Sequence, residues 1–201
     1  NIQGIGDKHI PLIHNVMNTD IVAGISDAAT DGLNLVFTTD SGKEYLKSEH
    51  QISEEIVENL KHLGFSSICN MMASIKTAKE LNLGPNDVIM TVATDGSELY
   101  ESEKAHLMRD KYPNGFTAKD AHEIFTSHVV NADSQHLEIL SDVGRNRIFN
   151  LGYYTWVEQQ GISVEDFDAR RSQEFWNELH KFPPIWDEMI REFNAQTGVS
   201  A

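Results

Sequence analysis

Apolar positions along the chain follow two rhythms, a helical one and a continuous one. Ile21-Val22-Ala23-Gly24-Ile25 is a short apolar run and reads as a strand. Ser26-Asp27 then caps a helix that carries Ala28, Leu33, Val36 and Phe37 on roughly one side. Residues 38–42 are a polar break. Ser53-Glu54-Glu55-Ile56 opens a second helix with acids in its first turn, Ile56, Leu60 and Leu63 spaced for burial, and Gly64 as its C′ glycine. Ser66 or Ser67 caps a third helix, apolar on most sides from Ile68 onward. Residues 88–93, set off by the turn signal Gly84-Pro85-Asn86-Asp87, are almost wholly apolar, the pattern of a parallel strand buried on both faces. That run ends in Thr94-Asp95-Gly96-Ser97, and a helix begins near Glu98.

This order of strands and helices predicts an α/β fold, a partial parallel sheet with flanking helices, followed by a mostly helical C-terminal extension. The extension takes shape after Tyr112, where Pro113-Asn114-Gly115 stops a helix and Thr117 to Asp120 opens another with a capping box. Two further helices are expected over 163–181 and 184–196, hinged at Phe182-Pro183-Pro184. The predicted division is therefore 1–112 for the α/β part and 113–201 for the helical part. A strand, a tight polar turn and a helix start place hydroxyl, carboxylate and backbone N–H groups at the carboxyl end of a sheet, where open α/β folds bind ligands. The plainer reading of that turn is a connection with Ser97 as N-cap, and a generic phosphate site on Asp95-Gly96-Ser97 is a further option.

Charge narrows the partners. With 16 basic and 31 acidic residues the formal charge is −15, which repels nucleic acid and anionic membranes, and the densest basic spot, Arg170-Arg171, is flanked by acids. No apolar run approaches the ~20 residues that span a bilayer. A single cysteine, Cys69, suits a reducing, cytoplasmic setting. The chain opens without Met inside what reads as an ongoing motif, so a fragment or processed piece is expected.

Three constellations invite chemistry. His122-Glu123 with His128 approaches a zinc-protease pattern, but the histidines are six apart rather than four, which on a helix separates them by ~120°. Tyr153-Tyr154 with Trp156 reads as core or interface more readily than as a stacking platform. Cys69 near a helix start has no evident base beside it and reads as a small buried hydrophobe.

Ile2-Gln3-Gly4-Ile5-Gly6 with Ile10-Pro11, then Gly64-Phe65-Ser66-Ser67 with Asn70, then residues 91–100 with Glu98 and Tyr100, resemble in order and spacing the C-terminal half of the pyridoxal-phosphate enzymes of the tryptophan-synthase-β group, closest to cysteine synthases. The resemblance covers roughly residues 1–105. It implies a cytoplasmic PLP-dependent lyase or β-replacement enzyme acting on a small amino acid. Gly4 and Gly6 would belong to the loop that closes over the cofactor, and Asp7, Lys8, His9, Ser66, Ser67 and Asn70 would face the substrate. One of Thr94, Asp95 or Gly96 would lie against the pyridine nitrogen, depending on how the turn is aligned. Asp7-Lys8-His9 replaces residues that are small in cysteine synthases and leaves sulfide and O-acetylserine specificity open. Nothing matches that family's Schiff-base lysine or glycine-rich phosphate loop, so the isolated chain is expected to be inactive and to work as a homo-oligomer or with a missing N-terminal half. The rival from another class is a non-catalytic oligomerisation module.

Overall fold

The computed structural model describes Ile2 and residues 9–199. In chain order the described strands and α-helices are β1 (Ile21–Ala23), α1 (Asp27–Thr38), α2 (Asp40–His50), α3 (Glu54–Asn59), α4 (Phe65–Glu80), α5 (Glu101–Lys111), α6 (Ala118–Phe125), β2 (Leu137–Ile139), α7 (Asp142–Asn150), α8 (Val164–Ala169), α9 (Gln173–Leu179) and α10 (Phe182–Thr197), with short 3-10 or π turns between some of them. The chain divides into two compact units, one within Ile21–Glu138 and the other within residues 9–20 and 139–199.

The expected parallel sheet is not what forms. Among the described residues there is one two-stranded antiparallel sheet, β1 with β2, and the fold is dominated by helices. Gly24 N–H donates to the His136 carbonyl (2.7 Å) where the two strands meet. The correction turns on residues 88–93, which form no helix or strand, have no partner strand among the described residues and lie in the open, with Val88 86% and Met90 93% exposed. A continuous apolar run marks a buried strand only when a second backbone is present to take its N–H and C=O groups.

In the first unit the core is built around α1. Ser26 accepts a hydrogen bond from Ala29 N–H, Asp27 sits in the first turn, and Ala29, Leu33, Val36 and Phe37 recur at helical spacing on the buried side. The expected Ala28 is exposed, one position out of register. Thr39 closes α1 and opens α2 with one hydroxyl, donating to the Leu35 carbonyl (2.7 Å) and accepting from Gly42 N–H (3.2 Å). Gly42 is needed at that corner, because a Cβ there would stand 2.2 Å from the Val36 carbonyl oxygen. Helices α2, α4, α5 and α6 pack around α1, bringing Tyr45, Leu46, Ile68, Met72 and Ala121 into one cluster with its apolar side.

Three local expectations need correction. In α3 the buried residue is Val57, whereas Ile56 is exposed, so the apolar face is rotated by one position. Gly64 has φ −77°, which is not the left-handed C′ conformation, and it is the N-cap of α4. Ser66 and Ser67 therefore lie inside the first turn of α4 rather than capping it.

The second unit has its own small core. Val16, Phe149 and Phe167 are buried with Ile148, Trp156 and Ile162 packed against them. Trp156 Nε1 donates to the Ile10 carbonyl (2.7 Å), and Arg145 ties Asp20 (2.7 Å) and Asp142 (3.1 Å) together. The helix expected over 163–181 is broken at residues 170–172 into α8 and α9. Pro183 and Pro184 are not a hinge, since they occupy the first positions of α10, where proline's missing N–H costs nothing.

Candidate functional site

The turn after residues 88–93 is assembled by alternate residues reaching back to the start of α4. Gly84 N–H donates to Asp87 Oδ2 (2.7 Å), and Asp87 N–H returns to the Gly84 carbonyl (3.0 Å), reversing the chain after α4. From there the chain runs back along the helix. Asn70 Nδ2 donates to the Val92 carbonyl (2.9 Å), Thr94 N–H to Ser67 Oγ (3.1 Å), and the Ser66 and Thr94 hydroxyls meet at 2.5 Å. Gly64 N–H donates to the Asp95 carbonyl (2.8 Å), and Ser97 Oγ donates to the Lys61 carbonyl (2.7 Å). The predicted N-cap role of Ser97 thus goes to Gly96, and the serine hydroxyl holds the preceding loop instead.

Six of the residues singled out from sequence are brought together here: Ser66, Ser67, Asn70, Thr94, Asp95 and Gly96. Ser66 and Ser67 are buried and serve as anchors. Thr94 is exposed at its edge but has both its N–H and its hydroxyl committed to α4. The Asp95 carboxylate is exposed and accepts a hydrogen bond from Tyr100 Oη (3.2 Å). Burial first, and then the bond to Asp95, raise the Tyr100 phenol above its ordinary range, so it stays a donor at neutral pH. The Tyr100 ring leans on Phe65, with centroids 4.7 Å apart. Gly64 completes the arrangement, because a Cβ on it would stand 2.6 Å from the Asp95 carbonyl oxygen and 3.0 Å from Tyr100 Cε2.

Of the predicted closing loop, Gly4, Gly6, Asp7 and Lys8 lie outside the described residues. His9 belongs to the second unit, where its ring meets Trp156 edge-on at 5.3 Å. Cys69 is half-buried and burial pushes its thiol up, which removes the thiolate a nucleophile needs. His128 lines a hollow of about 260 Å³ with Lys76 and His136, and burial, then Lys76, holds its imidazole below the ordinary range. Lys76 is saturated there by the carbonyls of Asp133 (3.1 Å) and Gln135 (2.8 Å), which makes it a brace for the 133–135 loop. Among the described residues no group of three or more His, Cys, Asp or Glu could hold a metal ion, and no helix is long and apolar enough to cross a membrane.

Asp95 thus presents an exposed carboxylate on a turn pinned to α4, with the neighbouring threonine hydroxyl already engaged. Among the described residues no lysine side chain is bonded to these groups. Comparisons with protein-family models, with curated proteins and with solved structures find no match for the chain.

Sequence reasoning missed two features. The structural need for Gly64 was hidden because the glycine reads equally well as a helix end. Arg170 was weighed only as part of an acid-flanked basic pair, yet it is 5% exposed, with its guanidinium over the rings of Phe149 (5.2 Å) and Phe167 (5.1 Å). The aromatic residues on both sides of it in sequence, Phe167 and Phe175-Trp176, were the available signal.

Proposed function

We propose that this chain supplies the ring-nitrogen wall of a pyridoxal-phosphate-dependent lyase or β-replacement enzyme acting on a small amino acid, with Asp95 as the cofactor-facing group. The observation that carries the reading is the convergence of two separate stretches of resemblance, 64–70 and 91–100, on one pinned turn with an exposed carboxylate. Asp95 is favoured over Thr94 because the threonine hydroxyl is spent on Ser66 and its N–H on Ser67. Gly96 has no side chain with which to bond and serves as the cap of the following turn.

When bound, pyridoxal phosphate supplies an electron-withdrawing ring that stabilises negative charge at the α-carbon of an amino acid. The role of Asp95 is to hold a proton on the pyridine nitrogen, which deepens that withdrawal. Tyr100 donates to Asp95 Oδ2 and orients the carboxylate. Ser66, Ser67 and Asn70 keep the turn at a fixed height on α4. The lysine that attacks the cofactor and the cradle for its phosphate come, in this reading, from further polypeptide. The exposed apolar side chains of Val88, Met90 and Val92, on backbone without a strand partner, are what a segment that packs against such polypeptide carries.

The test joins the chain to whatever polypeptide its gene encodes ahead of Asn1, or takes it as it is if there is none, and titrates this joined protein with pyridoxal phosphate, followed by cofactor absorbance. Saturable uptake is expected, weakened about tenfold or more by Asp95→Ala, the loss of one charged hydrogen bond. No uptake by the joined protein, or uptake indifferent to Asp95→Ala, overturns the reading.

A second reading, a homo-oligomeric module, is favoured by one observation in the second unit. Ile185, Trp186, Met189, Ile190 and Phe193 repeat at helical spacing along α10, and each is more than half exposed. Such a stripe is complementary to itself, so a second copy is its natural cover. Light scattering across a concentration series distinguishes the readings, since a mass that stays at one chain dismisses the module.

A further inference from the structure

The second unit contains a cavity of about 540 Å³ whose wall is mostly apolar, formed by Leu12, Ile162, Phe175, Trp176 and Leu179, with Arg170 among the lining residues. Arg170 is the anomaly in that wall. It is 95% removed from solvent, its Nε and Nη1 have no hydrogen-bond partner, and among the described residues no carboxylate pairs with it. Burial alone pulls its pKa down, with no acidic neighbour acting in the other direction. The adjacent Arg171 shows what a satisfied guanidinium looks like on the same aromatic floor. It lies 3.9 Å over the Phe149 ring and bonds Asp168 (3.0 Å), Asn146 (2.5 Å) and Asn150 (2.7 Å). Asp166, also on the cavity wall, is engaged elsewhere, accepting from Ser163 Oγ (2.8 Å). The ring faces of Phe149 and Phe167 offset part of the cost of burying Arg170, but a ring face does not replace a hydrogen-bonding anion. Trp176 Nε1 donates to the Arg170 carbonyl (2.8 Å) and fixes the backbone that carries the guanidinium.

We propose that this cavity is a binding site for a small anionic amphiphile, an apolar body ending in a carboxylate, with Arg170 taking the charged end and the aliphatic and aromatic wall taking the body. The volume falls within the range of small-ligand pockets, and a mostly apolar lining with one cationic group is the composition such ligands select. A single guanidinium in a chain of formal charge −15 favours a singly charged head over a phosphate or a dicarboxylate. The site lies wholly within the second unit and is independent of the pyridoxal-phosphate reading.

The experiment is isothermal titration calorimetry of the 201-residue chain with decanoate and, separately, with 1-decanol, repeated on Arg170→Met. Decanoate is expected to bind at one site at least tenfold more tightly than decanol. In Arg170→Met that preference disappears while decanol still binds, which also reports that the cavity has kept its shape. Comparable affinities for decanoate and decanol in the unaltered chain overturn the proposal even if the variant fails to fold. A lack of saturable decanoate binding, or a preference that survives Arg170→Met, overturns it as well.

Discussion

Two short apolar runs in the first unit, residues 33–37 and 88–93, end in opposite surroundings. Leu33, Leu35 and Val36 are fully buried at the centre of the helical core, whereas Val88, Met90 and Val92 are largely exposed. Hydrophobicity does not separate them; backbone hydrogen bonding does. Residues 33–37 lie in a helix that satisfies its own N–H and C=O groups, so side-chain packing alone decides their burial. Residues 88–93 lie in neither a helix nor a strand, and backbone without such a partner is costly to bury. No ladder covers that backbone, and the apolar side chains stay exposed with it.

The contrast can be broken most sharply from the buried side. Leu35→Ala removes a fully buried side chain from the centre of the first unit and is expected to cost about 3 kcal/mol, seen as a lower denaturant midpoint with an unchanged slope. A loss below about 1 kcal/mol would mean that α1 is not the core that it forms here. Gly64→Ala comes next. The added methyl meets the Asp95 carbonyl and Tyr100, so roughly 1–3 kcal/mol is expected, together with weaker cofactor uptake in the joined protein. The smallest effect belongs to the exposed run. Val88→Thr with Met90→Ser should shift stability by no more than about 0.5 kcal/mol for each change in the chain alone. The same pair is expected to destabilise the joined protein more strongly, and equal effects in both backgrounds would show that the run stays exposed there too.

Helix starts were legible in sequence because their signals are local. Ser26, Ser53 and Ser163 cap helices, and the Thr117–Asp120 capping box is formed from both sides. The sheet was misread because strand pairing is not local, and nothing within 88–93 indicates whether a neighbouring strand exists. Gly64 was misread for a related reason: a glycine between two helices serves as the end of one or the start of the next, and the choice depends on Asp95, thirty-one positions later. Within the candidate site, the residue types at 66, 67, 70, 94 and 95 were legible. The division of labour among them was not, because it rests on which hydroxyl α4 claims. Arg170 escaped notice because burial of an arginine is decided by aromatic rings gathered from two helices, Phe149 of α7 and Phe167 of α8.

If the Asp95 carboxylate faces the pyridine nitrogen of pyridoxal phosphate, as proposed, the protonation state of that nitrogen reports it. With ring-labelled [15N]pyridoxal phosphate bound to the joined protein, the 15N resonance at neutral pH is predicted at the protonated position, moving toward the neutral position in Asp95→Asn. A neutral nitrogen in the unaltered protein, or a protonated one indifferent to Asp95→Asn, would contradict the account.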